Sequence, residues 1–193
     1  MSTARWEMPR SGTAAGAVVV SGGVVHLGDD VLAAISPAVR LRAARLEDVP
    51  AILELLDGFA RRGLLLPRTP DQLYRNIREF VVAEDVEGIV GCGALRIYSP
   101  RLAEIGALAV AERCHGRGVG RCIVDALVDE ACELGIGRVF ALTLQEGFFH
   151  RLGFRTGRVE EFPQKVAADC ASCAKRATCI EITVVRDLHV VDA

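Results

Sequence analysis

Apolar positions recur along this chain with two different periods, and the switches between them lay out its elements. From Val39 to Ala43 apolar and basic residues alternate, the period of a strand with one buried face. Ile52, Leu55, Leu56 and Phe59 then fall on one side of a helix introduced by Glu47, Asp48 and Pro50 and ended by Gly63. Leu64 to Arg68 reads as a connection, and Thr69-Pro70-Asp71 as the cap of a second helix through Leu73, Ile77 and Phe80. Phe80 to Ala83 and Gly88 to Tyr98 read as two strands around the acidic turn Glu84-Asp85-Val86-Glu87, and Ala103 to Val110 as the next. The clearest helical face is Val119, Cys122, Ile123, Ala126, Leu127, Ala131 and Leu134, stopped by Gly135 and Gly137. Arg138 to Leu144 as a strand, Gly147 to Leu152 as a short helix, Phe154 to Val159 and Cys179 to Val185 as strands complete the order. The pattern predicts an α/β domain with one mixed sheet of about seven strands flanked by about four helices.

Residues 1–37 follow neither period for long. They are rich in Gly, Ala, Ser and Val, and offer at most a hairpin of Val18-Val19-Val20 with Val24-Val25-His26-Leu27 around Ser21-Gly22-Gly23. They are expected to form a flexible N-terminal extension ahead of a single domain over 38–193.

Between the fourth predicted strand and the long helix lies His115-Gly116-Arg117-Gly118-Val119-Gly120-Arg121. Glycines at these positions bring backbone N–H groups close to a ligand, and the helix that follows turns its unpaired N–H groups and positive dipole end toward the same place. An anion such as a phosphate is the natural guest, with Arg113, Arg117 and Arg121 adding positive charge.

Composition narrows the class. The chain has 193 residues, is 51% hydrophobic and 25% charged, and carries a net charge of −2. That charge excludes a general nucleic-acid binder, and no run reaches the roughly 18 to 20 apolar residues that span a bilayer. With no signal-peptide core near Arg5 and Arg10, a cytoplasmic protein is expected. Seven cysteines, an odd number scattered over core-like elements, fit free thiols in a reducing compartment. Cys92, Cys122 and Cys132 fall on apolar faces as small core residues. Cys170-x-x-Cys173-x5-Cys179 lacks a neighbouring fourth ligand and the paired spacing of a zinc ribbon, so no metal is expected. Free thiols, a redox disulfide, or a site completed by a distant ligand such as His189 remain open for it.

The element order, the glycine loop and Gly153-Phe154 about thirty residues beyond it together resemble the GNAT superfamily of acetyl-CoA-dependent N-acetyltransferases, over residues 39–187. Two registers fit the family loop: Arg113-x-x-Gly116-x-Gly118 satisfies its letters, while His115-x-x-Gly118-x-Gly120 matches the distance to the helix. The resemblance implies that this loop holds the coenzyme A pyrophosphate and that Leu108-Ala109-Val110 offers backbone groups to the pantetheine. It also implies a tyrosine acid in the short helix. Phe149 stands there, with His150 beside it as a replacement candidate. A carboxylate must take the amine proton; the resemblance points to Glu104, with Glu79 and Glu84 as weaker candidates.

Within the superfamily the chain is most similar to short amino-acid acetyltransferases related to N-acetylglutamate synthase, which open arginine biosynthesis. The stretches Gly63-Leu64-Leu65-Leu66-Pro67-Arg68-Thr69, Val90 to Leu95 and Arg138 to Thr143 carry this likeness. It implies transfer to the α-amine of L-glutamate in a ternary complex, with Arg68, Lys165 and Arg176 gripping substrate carboxylates. Another small amine, a protein amine, and a non-catalytic acyl-CoA sensor with a cysteine cluster are the competing readings. A homodimer through a C-terminal edge strand is the one protein partner expected.

Overall fold

A computed structural model describes residues 39–188 and the backbone of two short strands before them, β1 (Ala17–Val20) and β2 (Gly23–His26). These two pair antiparallel, Val18 opposite Val25 and Val20 opposite Gly23, as the sequence proposes. The predicted flexible extension otherwise falls on residues outside those described, as do Leu27 and His189.

The main sheet has seven strands in the order β3 (Arg40–Ala43), β4 (Phe80–Asp85), β5 (Gly88–Ser99), β6 (Leu102–Val110), β7 (Arg138–Thr143), β9 (Ile182–Asp187), β8 (Arg155–Thr156). Only β6 and β7 run parallel, which requires the crossover helix α3 (Val119–Glu133) between them. Four further helices are α1 (Val49–Arg61), α2 (Pro70–Asn76), α4 (Glu146–His150) and α5 (Pro163–Ala168). One face of the sheet packs on α3 through Val81, Leu95, Ile105 and Val139 against Ile123 and Leu127. The other packs Val82, Cys92 and Ala94 on α1 and α2, and Leu102 and Phe140 on Phe162 of the tail. The Phe140 and Phe162 rings stack with centroids 4.3 Å apart.

Helix α3 lies close to β5 because glycines face it. A Cβ on Gly93 would sit 2.7 Å from Ile123 Cγ2, and one on Gly91 2.9 Å from Ile123 Cδ1. On the other face a buried ion pair ties β3 to the start of α1. Arg42 Nη1 and Nη2 donate to Asp48 Oδ2 and Oδ1 at 2.6 and 2.8 Å, and Arg42 Nε donates to Glu84 Oε2 at 2.8 Å. The cap of α2 is the reciprocal box that Thr69 suggests, with Gln72 N donating to Thr69 Oγ1 and Thr69 N to Gln72 Oε1.

Several boundaries differ from the periodicity. Helix α2 ends at Asn76 and a 3-10 turn covers Ile77–Glu79, so Phe80 opens β4 and is not helical. Leu134 follows α3 and is 54% exposed, because the helix has ended before its turn would face the sheet. The strand expected over Phe154 to Val159 shrinks to two residues: beyond Gly157, whose N–H still bonds Thr183 O at 2.9 Å, a 3-10 turn carries the chain away. The C-terminal strand starts at Ile182, opposite the last residue of β7, and lies between β7 and β8. It is therefore not an edge strand, and the geometric reason for expecting a dimer there is removed. Among the described residues the helices number five, α5 being the one the pattern leaves as loop.

Two outcomes are expected. Gly93→Ala should destabilise the fold by about 1–3 kcal/mol in urea unfolding, since Ile123 is held by its own packing. Arg42 holds the Asp48 carboxyl below the usual carboxylate range; burial opposes this and the Arg45 N–H assists it. A depressed pKa supplies stability above the unfolded value near 4 and loses it as pH falls through the folded value. Wild-type stability should thus fall below about pH 4 more steeply than that of Asp48→Asn. Parallel acid limbs in the two proteins would contradict this.

Candidate active site

The site forms where β6 parts from β7. Their pairing covers Leu102–Arg138, Ala103–Val139 and Glu104–Phe140 and goes no further, although β6 continues to Val110 and β7 to Thr143. On its other side β6 stays bonded to β5, but with one residue more than its partner: Cys92 opposes Ala109 and Ala94 opposes Gly106. Ala107, at φ +50, lies inside this bulge, and the Cys92 thiol, pushed up to about 12 by burial, donates to its carbonyl at 3.6 Å. Ala109 still faces Cys92 of β5, whereas the backbone of Leu108 and Val110 on the β7 side is thereby left without a strand partner.

The glycine loop closes the open end of this wedge. Gly116 and Gly118 take φ +73 and +80, and Gly118 caps α3 with no side chain bonded to the helix end. The first N–H groups of α3, from Val119, Gly120 and Arg121, are therefore free for an anion. A Cβ on Gly120 would touch the Phe148 ring of α4 at 3.5 Å and Val110 Cγ2 at 3.6 Å, so strand end, loop and α4 converge on this glycine. Arg113 points elsewhere, to Asp85 Oδ2 at 2.5 Å and Glu87 Oε2 at 3.3 Å, and holds Asp85 at about 2. Its neighbour Glu112 pairs with Arg62. His115 Nε2 donates to Val110 O at 2.7 Å, fastening the loop to the end of β6. Arg121 makes a loose pair with Asp125 at 3.4 Å, and Arg117 has no ion pair among the described residues. Of the two registers, His115-Gly118-Gly120 is the one aligned with the helix start, and Arg113 supplies no free charge.

Phe149, where the tyrosine acid would stand, is buried edge-on against Phe148 and Phe154. His150 turns outward to Thr156 Oγ1 at 3.1 Å and Glu146 Oε1 at 3.4 Å.

At the apex of the wedge, on the face opposite α3, stands a cluster of charges. Glu104 is buried, directly opposite Arg96 in the β5–β6 register. Glu104 Oε2 accepts from Lys165 Nζ and from Tyr98 OH, both at 2.8 Å. Asp169, one turn after Lys165, accepts from Lys165 Nζ at 3.2 Å and from Arg96 Nη1 at 2.7 Å, and its Oδ2 is the second oxygen within hydrogen-bond reach of Tyr98 OH. Burial works against the Lys165 charge, but Glu104 and Asp169 outweigh it and hold its pKa above the usual lysine value. Glu79 is pushed up by burial against the pull of Arg96 and Arg68, with Glu104 and Asp169 adding to the rise. Arg68 lies with Cζ 5.9 Å from the Phe80 ring centroid, half-buried and without an ion pair among the described residues. Arg176 sits on an exposed 3-10 turn, and no bond joins its side chain to this cluster.

The structure thus unites Glu104 and Lys165, chosen for different roles, and adds Arg96, Tyr98 and Asp169, which sequence reasoning missed. Alternation along Ala94, Arg96 and Tyr98 places two polar side chains on one strand face, a signal that was available; Asp169 at four residues from Lys165 was another. Among the described residues no group of three or more His, Cys, Asp or Glu is arranged to hold a metal, and all seven cysteines are free thiols.

Comparison with known proteins gives this geometry its context. Residues 76–156 match the Acetyltransferase (GNAT) domain. An uncharacterized N-acetyltransferase of Chlorobaculum tepidum is 40% identical over 148 residues, covering 77% of this chain and 96% of the relative. The chain belongs to the GNAT family of acetyltransferases. An amino-acid acetyltransferase of Mycobacterium tuberculosis is 44% identical over 59% of this chain and 67% of the relative. N-acetylglutamate synthase of Neisseria gonorrhoeae, crystallised with coenzyme A and N-acetyl-glutamate, superposes with a TM-score of 0.71 at 29% identity, over 80% of this chain and only 36% of that larger protein. This GNAT protein is accordingly an N-acetyltransferase that uses acetyl-CoA as its co-substrate. No helix among its described residues is long and apolar enough to cross a membrane.

If the α3 N-terminus receives the pyrophosphate, Gly118→Val should raise the acetyl-CoA KM at least about tenfold and leave the acceptor KM unchanged, whereas Arg113→Ala should keep it within about twofold. Equal effects of the two substitutions on acetyl-CoA KM would place the anion elsewhere.

Proposed function

We propose that this protein is a cytoplasmic enzyme that acetylates the α-amine of L-glutamate, by direct attack on acetyl-CoA in a ternary complex. The observation that carries the reading is Arg68, a half-buried guanidinium on the α1–α2 connection with no carboxylate partner among the described residues. Such a group carries an unbalanced charge beside the acceptor face and matches a carboxylate in two bonds. The similarity to an amino-acid acetyltransferase and to a synthase holding N-acetyl-glutamate supports the same acceptor class.

The roles divide as follows. The α3 N-terminus and the 115–121 loop hold the pyrophosphate, and the stretch Leu108, Ala109 and Val110, which β7 does not cover, holds the pantetheine. Glu104, at the apex where the acetyl group would arrive, takes the ammonium proton, and the freed amine attacks the thioester carbon. Arg68 binds a substrate carboxylate. Lys165 reaches one only by exchange with Asp169, and its first role is to hold Glu104 in place through its 2.8 Å bond to Oε2. Arg176 has no part assigned. Lys175 Nζ donates to Gly63 O at 3.0 Å and joins the tail to the connection that carries Arg68. A rim bridged in this way suits a free amino acid better than a protein amine. The product would be the acetylated amino acid that opens arginine biosynthesis.

Thiol release from acetyl-CoA, measured with a panel of amino acids, should be stimulated most by glutamate. Strong turnover of another amine without a response to glutamate would sink the substrate assignment. In Arg68→Ala the glutamate KM should rise about tenfold or more at unchanged acetyl-CoA KM, and unmoved constants would remove Arg68 from the clamp.

A further inference from the structure

Acetylation strips two protons from an ammonium. One ends on the coenzyme A thiol and the other leaves for solvent, so that R-NH3+ and acetyl-CoA give the amide, the thiol and one H+. A base that is buried must hand that proton on before it can serve again. Glu104 is 8% exposed, and its Oε2 meets two groups, Lys165 Nζ and Tyr98 OH. The ammonium of Lys165 is held charged by its two carboxylate neighbours and cannot accept a proton. The hydroxyl of Tyr98 both donates and accepts, and its second neighbour is Oδ2 of Asp169.

One hydroxyl proton cannot serve two ionised carboxylates together. The contact to the second carboxylate becomes a hydrogen bond when that carboxyl carries a proton, which is the state of Glu104 just after it has acted as base. The Asp169 side chain is 25% exposed, so the second carboxylate opens to water.

We propose that Tyr98 relays the proton from Glu104 to Asp169, which releases it to solvent. The Glu104 proton moves to the phenol oxygen as the phenol's own proton moves to Asp169 Oδ2; no bond other than these O–H bonds is made or broken, and the phenol ends neutral. Burial and the adjoining carboxylates push the Tyr98 pKa far up, so a free tyrosinate is avoided and the two transfers are coupled. Burial alone would raise Asp169, but the Tyr98 bond, Lys165 and Arg96 bring it below the usual carboxylate range, which favours release. Arg96, Lys165, Glu79 and Arg68 are the other charged groups around the path. Tyr98 and Asp169 act through Glu104 and are positioning residues, and the inference rests on the reading of Glu104 as the base.

The test compares Tyr98→Phe, Asp169→Asn and Glu104→Gln in steady-state assays over a range of imidazole concentrations. Tyr98→Phe keeps the ring beside Phe140 and should lose about tenfold in kcat, with both KM values within about twofold and most of the loss recovered as imidazole carries the proton instead. Asp169→Asn should lose and regain activity in the same way, and it carries the test if Tyr98→Phe shows no cooperative melting transition. Glu104→Gln should lose about a hundredfold or more. Wild-type kcat in Glu104→Gln would overturn the base reading and the relay with it. A crippled Glu104→Gln beside a Tyr98→Phe and an Asp169→Asn that keep wild-type kcat, or that imidazole does not restore, would overturn the relay and leave the base standing.

Discussion

Two parallel strands that stop pairing after three residues shape nearly everything else in this protein. Beyond Glu104 and Phe140 the strands β6 and β7 diverge, and a sheet that simply separated would leave unpaired backbone groups in its middle, at a cost of about 1–3 kcal/mol for each one kept from water. The chain meets this constraint in two ways. The bulge at Ala107 turns β6 while β5 stays bonded to it, and α3 enters at the wide end with its own unpaired N–H groups. The result is a wedge between β6 and β7 whose wide end is closed by the glycine loop and the N-terminus of α3.

The apex of the same wedge explains the charge cluster. Arg96, Lys165 and Tyr98 meet Glu104 and Asp169 on the face that α1 and the tail leave between them. A buried carboxylate is costly unless bonded, and Glu104 has Lys165 and Tyr98 within 2.8 Å. The network also fastens the tail: Asp169 links α5 to β5, while Phe162 stacks on Phe140 beneath it. Docking of the tail and assembly of the acceptor side are therefore one event.

Much of the architecture was legible because it depends on period. The face of α3 from Val119 to Ala131, the cap at Thr69 and the succession of strands and helices along the chain all follow from local spacing. Local spacing misled where one residue satisfied two patterns, as Phe80 did for a helix and a strand, or where pairing set the length, as at β8. The site was legible residue by residue but not as a set. Glu104 and Lys165 are 61 positions apart, and nothing in their spacing tells that the ammonium of one closes on the carboxylate of the other. Arg113 fitted the loop motif better by letters than His115, yet it faces Asp85, because a guanidinium reaches the nearest carboxylates.

The departure at Phe149 completes this account. Its ring is buried between Phe148 and Phe154, where a phenol oxygen would need a partner that an edge-on aromatic pair does not offer. The core around α4 thus favours phenylalanine, and the thiolate side of the reaction has no proton donor at that position. A thiolate of coenzyme A leaves without one, because it is far more stable in water than the alkoxide or amide that other acyl donors release. The demanding proton is the one on the attacking ammonium, since no lone pair exists for attack until it is gone. At the wedge apex Glu104, a buried carboxylate bonded by Lys165 and Tyr98, is the group placed to meet that demand.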